Sequence, residues 1–150
     1  MEGFLNQLGA DAHRTAVDKG WYDCHHCRGE GKVFLPPPAS LGLSEQCHRC
    51  RGTGKATTDI PTSLMLIVSE LAEAMEDYRD DNNSQPLTHW GWYKDCEKMD
   101  PKPEGFPTEL ADAIIRILNL CHHLGIDIDA VVKMKMEYNR GREHRHGGKT

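Results

Sequence analysis

The sequence predicts an all-α helical bundle carrying a small metal-binding insert between its first and second helices. Three observations predict it. Strong helical apolar periods run over 62–79, 108–124 and 128–140. No stretch alternates with period two over a strand's length, apart from short pieces beside the cysteine pairs. One short motif occurs twice in a Cys-, Gly-, Pro- and His-rich stretch, 21–58, that has no helical period.

The elements follow in chain order. Residues 1–20 read as a short amphipathic helix with Phe4, Leu5, Leu8, Ala12 and Val17 as its apolar face. The insert, 21–58, holds two copies of CxxCxGxG, at Cys24/Cys27/Gly29/Gly31 and at Cys47/Cys50/Gly52/Gly54. The two-residue spacing turns both sulfurs of a pair toward one ion, and the glycines allow a tight backbone around it. One tetrahedral Zn²⁺ on Cys24, Cys27, Cys47 and Cys50 is expected. Four thiolates leave no open position, so that site is structural. His25, His26 and His48 are expected to face solvent. The motif resembles the zinc-binding modules of DnaJ-type co-chaperones.

Pro61, Thr62 and Ser63 precede an apolar run, which marks a helix start with Thr62 or Ser63 as N-cap. On that helix Leu64, Ile67, Val68, Leu71, Met75 and Tyr78 form the apolar stripe. Glu70, Glu73 and Asp77 form a stripe beside it, with Asp77 read as a surface residue. A polar loop, 80–107, holds Trp90, Trp92, Tyr93 and Cys96. Its length signals function or mobility. Pro107 and Thr108 repeat the helix-start signal, and Glu109 falls in the first turn, where the helix dipole favours an anion. Leu110, Ala113, Ile114, Ile117, Leu120 and Leu124 form the next core face, edged by Glu109, Asp112, Arg116 and His123. Arg116 and His123 either pair with a carboxylate or face a substrate. Gly125 closes this helix, Asp127 or Asp129 caps the next, and Gly141 ends it. The tail from Lys133 holds six basic residues against two acidic ones.

Composition narrows the function. The chain has 150 residues, 16.9 kDa and a net charge of −5, with a pI near 6.0. That is one ordinary domain and a poor general binder of nucleic acid, which is not expected as a partner. The longest wholly apolar run is Leu64–Val68, too short to span a membrane. No basic region precedes an apolar stretch at the N-terminus, so a cytoplasmic chain is expected, with cysteines serving as metal ligands or plain thiols.

Two helices thus each carry acid-x-x-acid on the shoulder of a core face. Packed antiparallel, they would gather four carboxylates. Like charges resist burial together, and a divalent cation resolves the conflict. Oxygen ligands suit Mg²⁺ or Mn²⁺, and Mg²⁺ takes substrate phosphates as remaining ligands.

Residues 1–22 weakly, and 59–150 well, resemble the MazG-like all-α nucleoside triphosphate pyrophosphohydrolases. The resemblance is carried by Glu70/Glu73 and Glu109/Asp112, by Lys135, Asn139 and Arg142, and by the tail from His146 to Lys149. It implies a metal-dependent hydrolysis of (d)NTP to (d)NMP and pyrophosphate. It makes Glu70, Glu73, Glu109 and Asp112 the Mg²⁺ or Mn²⁺ ligands, with Lys135, Asn139, Arg142, His146 and Lys149 on the substrate. Two departures stand out: Ser69 where many relatives have a further Glu, and a longer gap between Glu73 and Glu109. The domain would comprise 1–20 and 59–150, with 21–58 inserted. Trp90, Trp92 and Tyr93, like Trp21 and Tyr22, would either stack on a base or serve packing. Ile115 and Leu118 fall outside the core stripe and widen the buried arc. That fits a homodimer or homotetramer, as the family forms. The rival reading is a non-enzymatic zinc-module protein that binds a protein or nucleic acid on a helical scaffold.

Overall fold

The computed structural model describes residues 3–34, 43–79, 87–93 and 102–142. Among the described residues four helices carry the fold: α1 (Phe4–Asp18), α2 (Ile60–Arg79), α3 (Phe106–His123) and α4 (Ile128–Arg140). Two short antiparallel pairs accompany them. β1 (Lys32–Phe34) pairs with β2 (Ser44–Gln46), placing Val33 opposite Glu45 beside the cysteine motifs. β3 (Gly91–Tyr93) pairs with β4 (Lys102–Glu104), placing Trp92 opposite Pro103 within the stretch read as a plain loop. Three-residue strands are too short to show a period of two, which is why this second pair was not foreseen.

Helix ends are set by local chemistry, with two corrections. α2 begins at Ile60, ahead of both expected caps. Pro61 sits in the first turn, where no backbone N–H is required of it. Thr62 and Ser63 instead turn their hydroxyls back to Asp59, whose carbonyl also accepts from the Ser63 amide at 2.9 Å. α3 likewise starts before Thr108. Gly105 is its N-cap with φ 122°, and a Cβ there would lie 2.8 Å from the His89 carbonyl oxygen. The Thr108 hydroxyl donates to the Gly105 carbonyl at 2.6 Å. Gly125 follows α3 at φ 69° and lets the Ile126 amide reach back to Cys121 at 2.9 Å. Asp127 caps α4, accepting from the Ala130 amide at 3.1 Å, and Gly141 ends it. Asp129 caps a different helix. Its carboxylate accepts from the Leu5 and Asn6 amides at the start of α1, at 3.3 and 2.7 Å. Asn6 answers by accepting from the Ile128 amide at 3.0 Å.

α3 is the central helix, packed by α1 on one side and α2 on the other, while α4 packs on α1. The α2 seam is Ile67, Glu70 and Ala74, and all three are buried. The facing α3 seam is Glu109 and Ala113, both buried, with half-buried Arg116 and Leu120. Glu73 lies near Glu109 and Glu70 near Arg116, so the two helices run antiparallel. Leu118 points about 180° away from Glu109, toward α1. There Gly9 permits the approach: a Cβ on it would stand 2.9 Å from the Leu118 carbonyl oxygen.

This arrangement corrects the expected core. Leu64, Val68, Leu71, Met75 and Tyr78 are 45–61% exposed, and Leu110, Ile114, Ile117 and Leu124 are 37–54% exposed. Ile115 is exposed as well, whereas Leu118 is core. The physical reason is the choice of seam. Small residues, Ala74 and Ala113, let the helix axes approach, and the larger apolar side chains turn outward. At about 100° per residue both stripes lie a quarter turn from their seams in the same rotational sense. Antiparallel packing then places them on one side of the α2–α3 pair. Glu73 and Asp112 lie a similar angle the other way, on the opposite side.

Candidate metal centres and the adjoining cleft

The insert folds around its cysteines. Cys24, Cys27, Cys47 and Cys50 are all buried, and their sulfurs lie within 4.8 Å of one another. The two motifs are related by a local twofold. The Cys24 amide donates to the Gly54 carbonyl at 2.7 Å, and the Cys47 amide to the Gly31 carbonyl at 2.8 Å. The Gly31 amide points at the Cys27 sulfur at 3.2 Å, and the Gly54 amide at the Cys50 sulfur at 3.3 Å. Gly31 and Gly54 adopt φ 72° and 73°. A Cβ on either would strike a carbonyl oxygen of the other motif, at 2.4 and 2.1 Å. Burial pushes the Cys27 thiol up to about 11. Burial also works on Cys50, but the Gly54 amide and the neighbouring thiols outweigh it and hold that thiol down to about 6. A closed, buried set of four sulfurs with amides aimed at two of them can hold a structural metal. His25, His26 and His48 are exposed, as expected.

The second cluster sits in the α2–α3 seam. One oxygen each of Glu70, Glu73 and Glu109 lies within 4.8 Å of the others. Glu70 and Glu109 are each only 6% exposed, whereas Glu73 reaches solvent. Asp112, expected as a fourth member, is not brought into this group. It is half-buried, well off the α3 seam, and acts on Glu109 through space. The Glu109 carboxyl is raised above its usual range, first by burial, then by Glu73, with Lys102 opposing and Asp112 and Glu70 adding. Its Oε2 is buried with no hydrogen-bond partner among the described residues. Asp77, expected at the surface, is half-buried and its Oδ2 is likewise shielded and unpartnered. The Arg116 Nε donates to Glu70 Oε1 at 2.7 Å, so Arg116 takes the carboxylate-pairing role. An all-oxygen donor set with an orphaned buried oxygen fits a hard divalent cation.

Beside this seam lies a cleft of about 630 Å³. Its walls include Trp21, Tyr22, Thr58, Leu66, Arg116 and Asn119. The Arg116 guanidinium sits 5.8 Å from the Trp21 ring centre, so this one residue touches both the acidic cluster and the cleft. Asn119 was not singled out from the sequence, though a lone amide within the run ILNLC was a signal. Its Oδ1 accepts from the Tyr22 hydroxyl at 2.9 Å and faces His13 Nδ1 at 2.9 Å. Among the described residues His123 pairs with no carboxylate. It stacks on Tyr22 at 4.6 Å and bonds the Thr58 hydroxyl.

The expected substrate set on α4 stands apart. Lys135, Asn139 and Arg142 are exposed, and Lys135 and Arg142 both lie over the Tyr138 ring, at 5.0 and 5.7 Å. Since α4 packs on α1, the single chain does not bring them to the carboxylates. His146 and Lys149 lie outside the described residues, as do Cys96 and the side chains of Trp92 and Tyr93. Trp90 is exposed, and Cys121 is half-buried. Among the described residues no helix is long and apolar enough to cross a membrane. No family model, curated protein or solved structure matches the chain.

Proposed function

We propose that the chain is a nucleoside triphosphate pyrophosphohydrolase that works with Mg²⁺ or Mn²⁺ and is built around a structural Zn²⁺ module. One observation carries the reading. Three glutamates converge within 4.8 Å in a helix–helix seam, two of them buried, with Glu109 Oε2 left unpartnered. Negative charge in that position is costly unless a cation answers it. Glu70, Glu73 and Glu109 would hold the ion, and Asp112, on the same side of α3, would extend the acidic set. When bound, such an ion activates water and offsets charge developing on phosphate oxygens.

The chain's own groups supply the rest. Arg116 fixes the Glu70 carboxylate through a 2.7 Å bond and presents positive charge at the cleft edge. In the reaction, a bond forms between the water oxygen and the α-phosphorus. The bond to the α–β bridging oxygen breaks, its electron pair leaves with pyrophosphate, and the water's proton passes to solvent. Lys135, Asn139 and Arg142 would serve phosphates from a second copy of the chain. The exposed apolar side of α2 and α3 supports a homodimer; because that side faces away from Glu73 and Asp112, the copy serving the phosphates would sit across the second interface of a homotetramer. Cys24, Cys27, Cys47 and Cys50 would hold Zn²⁺, as sulfur-only tetrahedral sites prefer.

Ion-exchange analysis of products tests the reading, with each common NTP and dNTP supplied beside Mg²⁺ or Mn²⁺. NMP and pyrophosphate are expected. Glu73→Ala is expected to lower kcat at least about 100-fold, a loss of about 2.7 kcal/mol of transition-state stabilisation. Zinc content should not change. NDP and phosphate as products would show attack at a different phosphorus. No turnover with either metal would leave the zinc-module binding protein as the better reading.

A further inference from the structure

We propose that the four-cysteine module is one wall of a nucleoside-binding cleft and so helps decide which base is accepted. The inference rests on the hydrolase reading only for the phosphates; the cleft argument concerns the uncharged end of the ligand.

The module stands on two legs. Asp23 bridges Lys55, reinforced by a 2.8 Å ion pair, and the Ala56 amide donates to the Tyr22 carbonyl at 2.9 Å. Both legs are then pinned to α3. Tyr22 reaches Asn119 from the entry leg, and Thr58 reaches His123 from the exit leg. The cleft opens between these legs and the α2–α3 pair. His25, from inside the first cysteine motif, lines it, and so do Ala56, Thr57 and Thr58 of the exit leg. The module is therefore part of the wall.

The chemistry of the walls selects a class of ligand. A volume of about 630 Å³ lies within the usual range for a small-molecule site. Trp21 is 61% exposed and offers a flat apolar face at the entry leg. Asn119 has its oxygen engaged by Tyr22 and His13, which fixes the amide and leaves its NH₂ as a donor. Threonine hydroxyls add groups that both give and accept. A planar heterocycle with carbonyl and ring-nitrogen acceptors, joined to a hydroxylated sugar, matches this combination. Arg116 links the cleft to Glu70, so such a ligand would have its phosphates at the acidic cluster. The cleft also lies opposite the exposed apolar stripes, so a partner on those stripes would leave it open.

Calorimetric titration with phosphate-free nucleosides, without divalent cation, tests this. The probes are adenosine, guanosine, deoxycytidine, deoxyuridine and thymidine, each added to the full zinc-loaded chain. One of them is expected to bind, with binding at least about 5-fold weaker in both His25→Ala and Thr58→Ala and at least about 10-fold weaker in Asn119→Ala. Zinc content and far-UV circular dichroism of each variant establish that it has folded. Binding by a folded His25→Ala and a folded Thr58→Ala equal to that of the parent would overturn the proposal, and so would no binding by any nucleoside. If a nucleoside binds as expected but no triphosphate is hydrolysed, the cleft stands and the hydrolase reading fails. If triphosphates are hydrolysed and both module variants keep the parental KM for every base, the hydrolase reading stands and this one fails.

Discussion

His123 shows how far a single residue's role departs from its place in the sequence. It lies on the same helical edge as Glu109 and Asp112, yet it meets Tyr22, Thr58 and His13. Burial, and then the nearby His13 and His122, push its pKa below the ordinary 6.5. The folded protein thus resists a proton that the unfolded chain accepts. A depressed folded value contributes stability above pH 6.5, and that contribution is lost as pH falls through the folded value. Urea midpoints should therefore drop between about pH 7.5 and about pH 5.5, and His123→Gln should blunt the drop. Equal slopes for the two proteins would refute this. Glu70, Glu73 and Glu109 were legible as a set because their spacing puts them on helix edges. The pairing of Arg116 with Glu70 was not, since it joins residues 46 positions apart.

Between elements, the exchanged caps of α1 and α4 carry the clearest consequence. Asp129 satisfies two amides at the start of α1, and Asn6 returns a bond to the start of α4. Asp129→Ala should cost about 1–2 kcal/mol in chemical denaturation, whereas an ordinary exposed helix position would cost almost nothing. A Gly3→Ala change should destabilise in parallel, because its Cβ would fall 2.1 Å from the Asp129 carboxyl carbon. Within the insert, Cys47→Ser should lose the proposed metal ion and the ordering of the module, with most helical circular dichroism retained. Loss of half or more of the helical signal would mean that the bundle depends on the module. The cysteine motifs were legible because their bonds close over four residues. The identity of the helix that Asp129 caps was not, because that bond spans the chain.

For the whole molecule, the decisive feature is the shared apolar side of α2 and α3. Leu64, Val68, Leu71, Met75 and Tyr78 repeat at alternating steps of four and three, as do Leu110, Ile114, Ile117, Cys121 and Leu124. Such seams are buried by another pair of helices in bundles. Exposed apolar surface of this extent marks an interaction site. Light scattering after size exclusion should show a dimer or tetramer at micromolar concentration. Leu71→Glu should shift it to monomer and lower the thermal midpoint. A monodisperse monomer in the parent protein would refute the assembly.

By itself the sequence determined the helices, the insert and its four cysteines, and the grouping of acidic residues on helix edges. Each of these depends on spacing within a few residues, which backbone geometry converts directly into a shared face. Tertiary structure alone decided which face of each helix meets its neighbour. Gly9, Ala74 and Ala113 allow close approach, so the seams formed there, and the acids were drawn inward while the large apolar residues turned out. It also decided that Arg116 joins the acidic cluster to the cleft, and that Asn119 faces Tyr22. Those contacts connect residues far apart in the chain, and local periodicity carries no information about them.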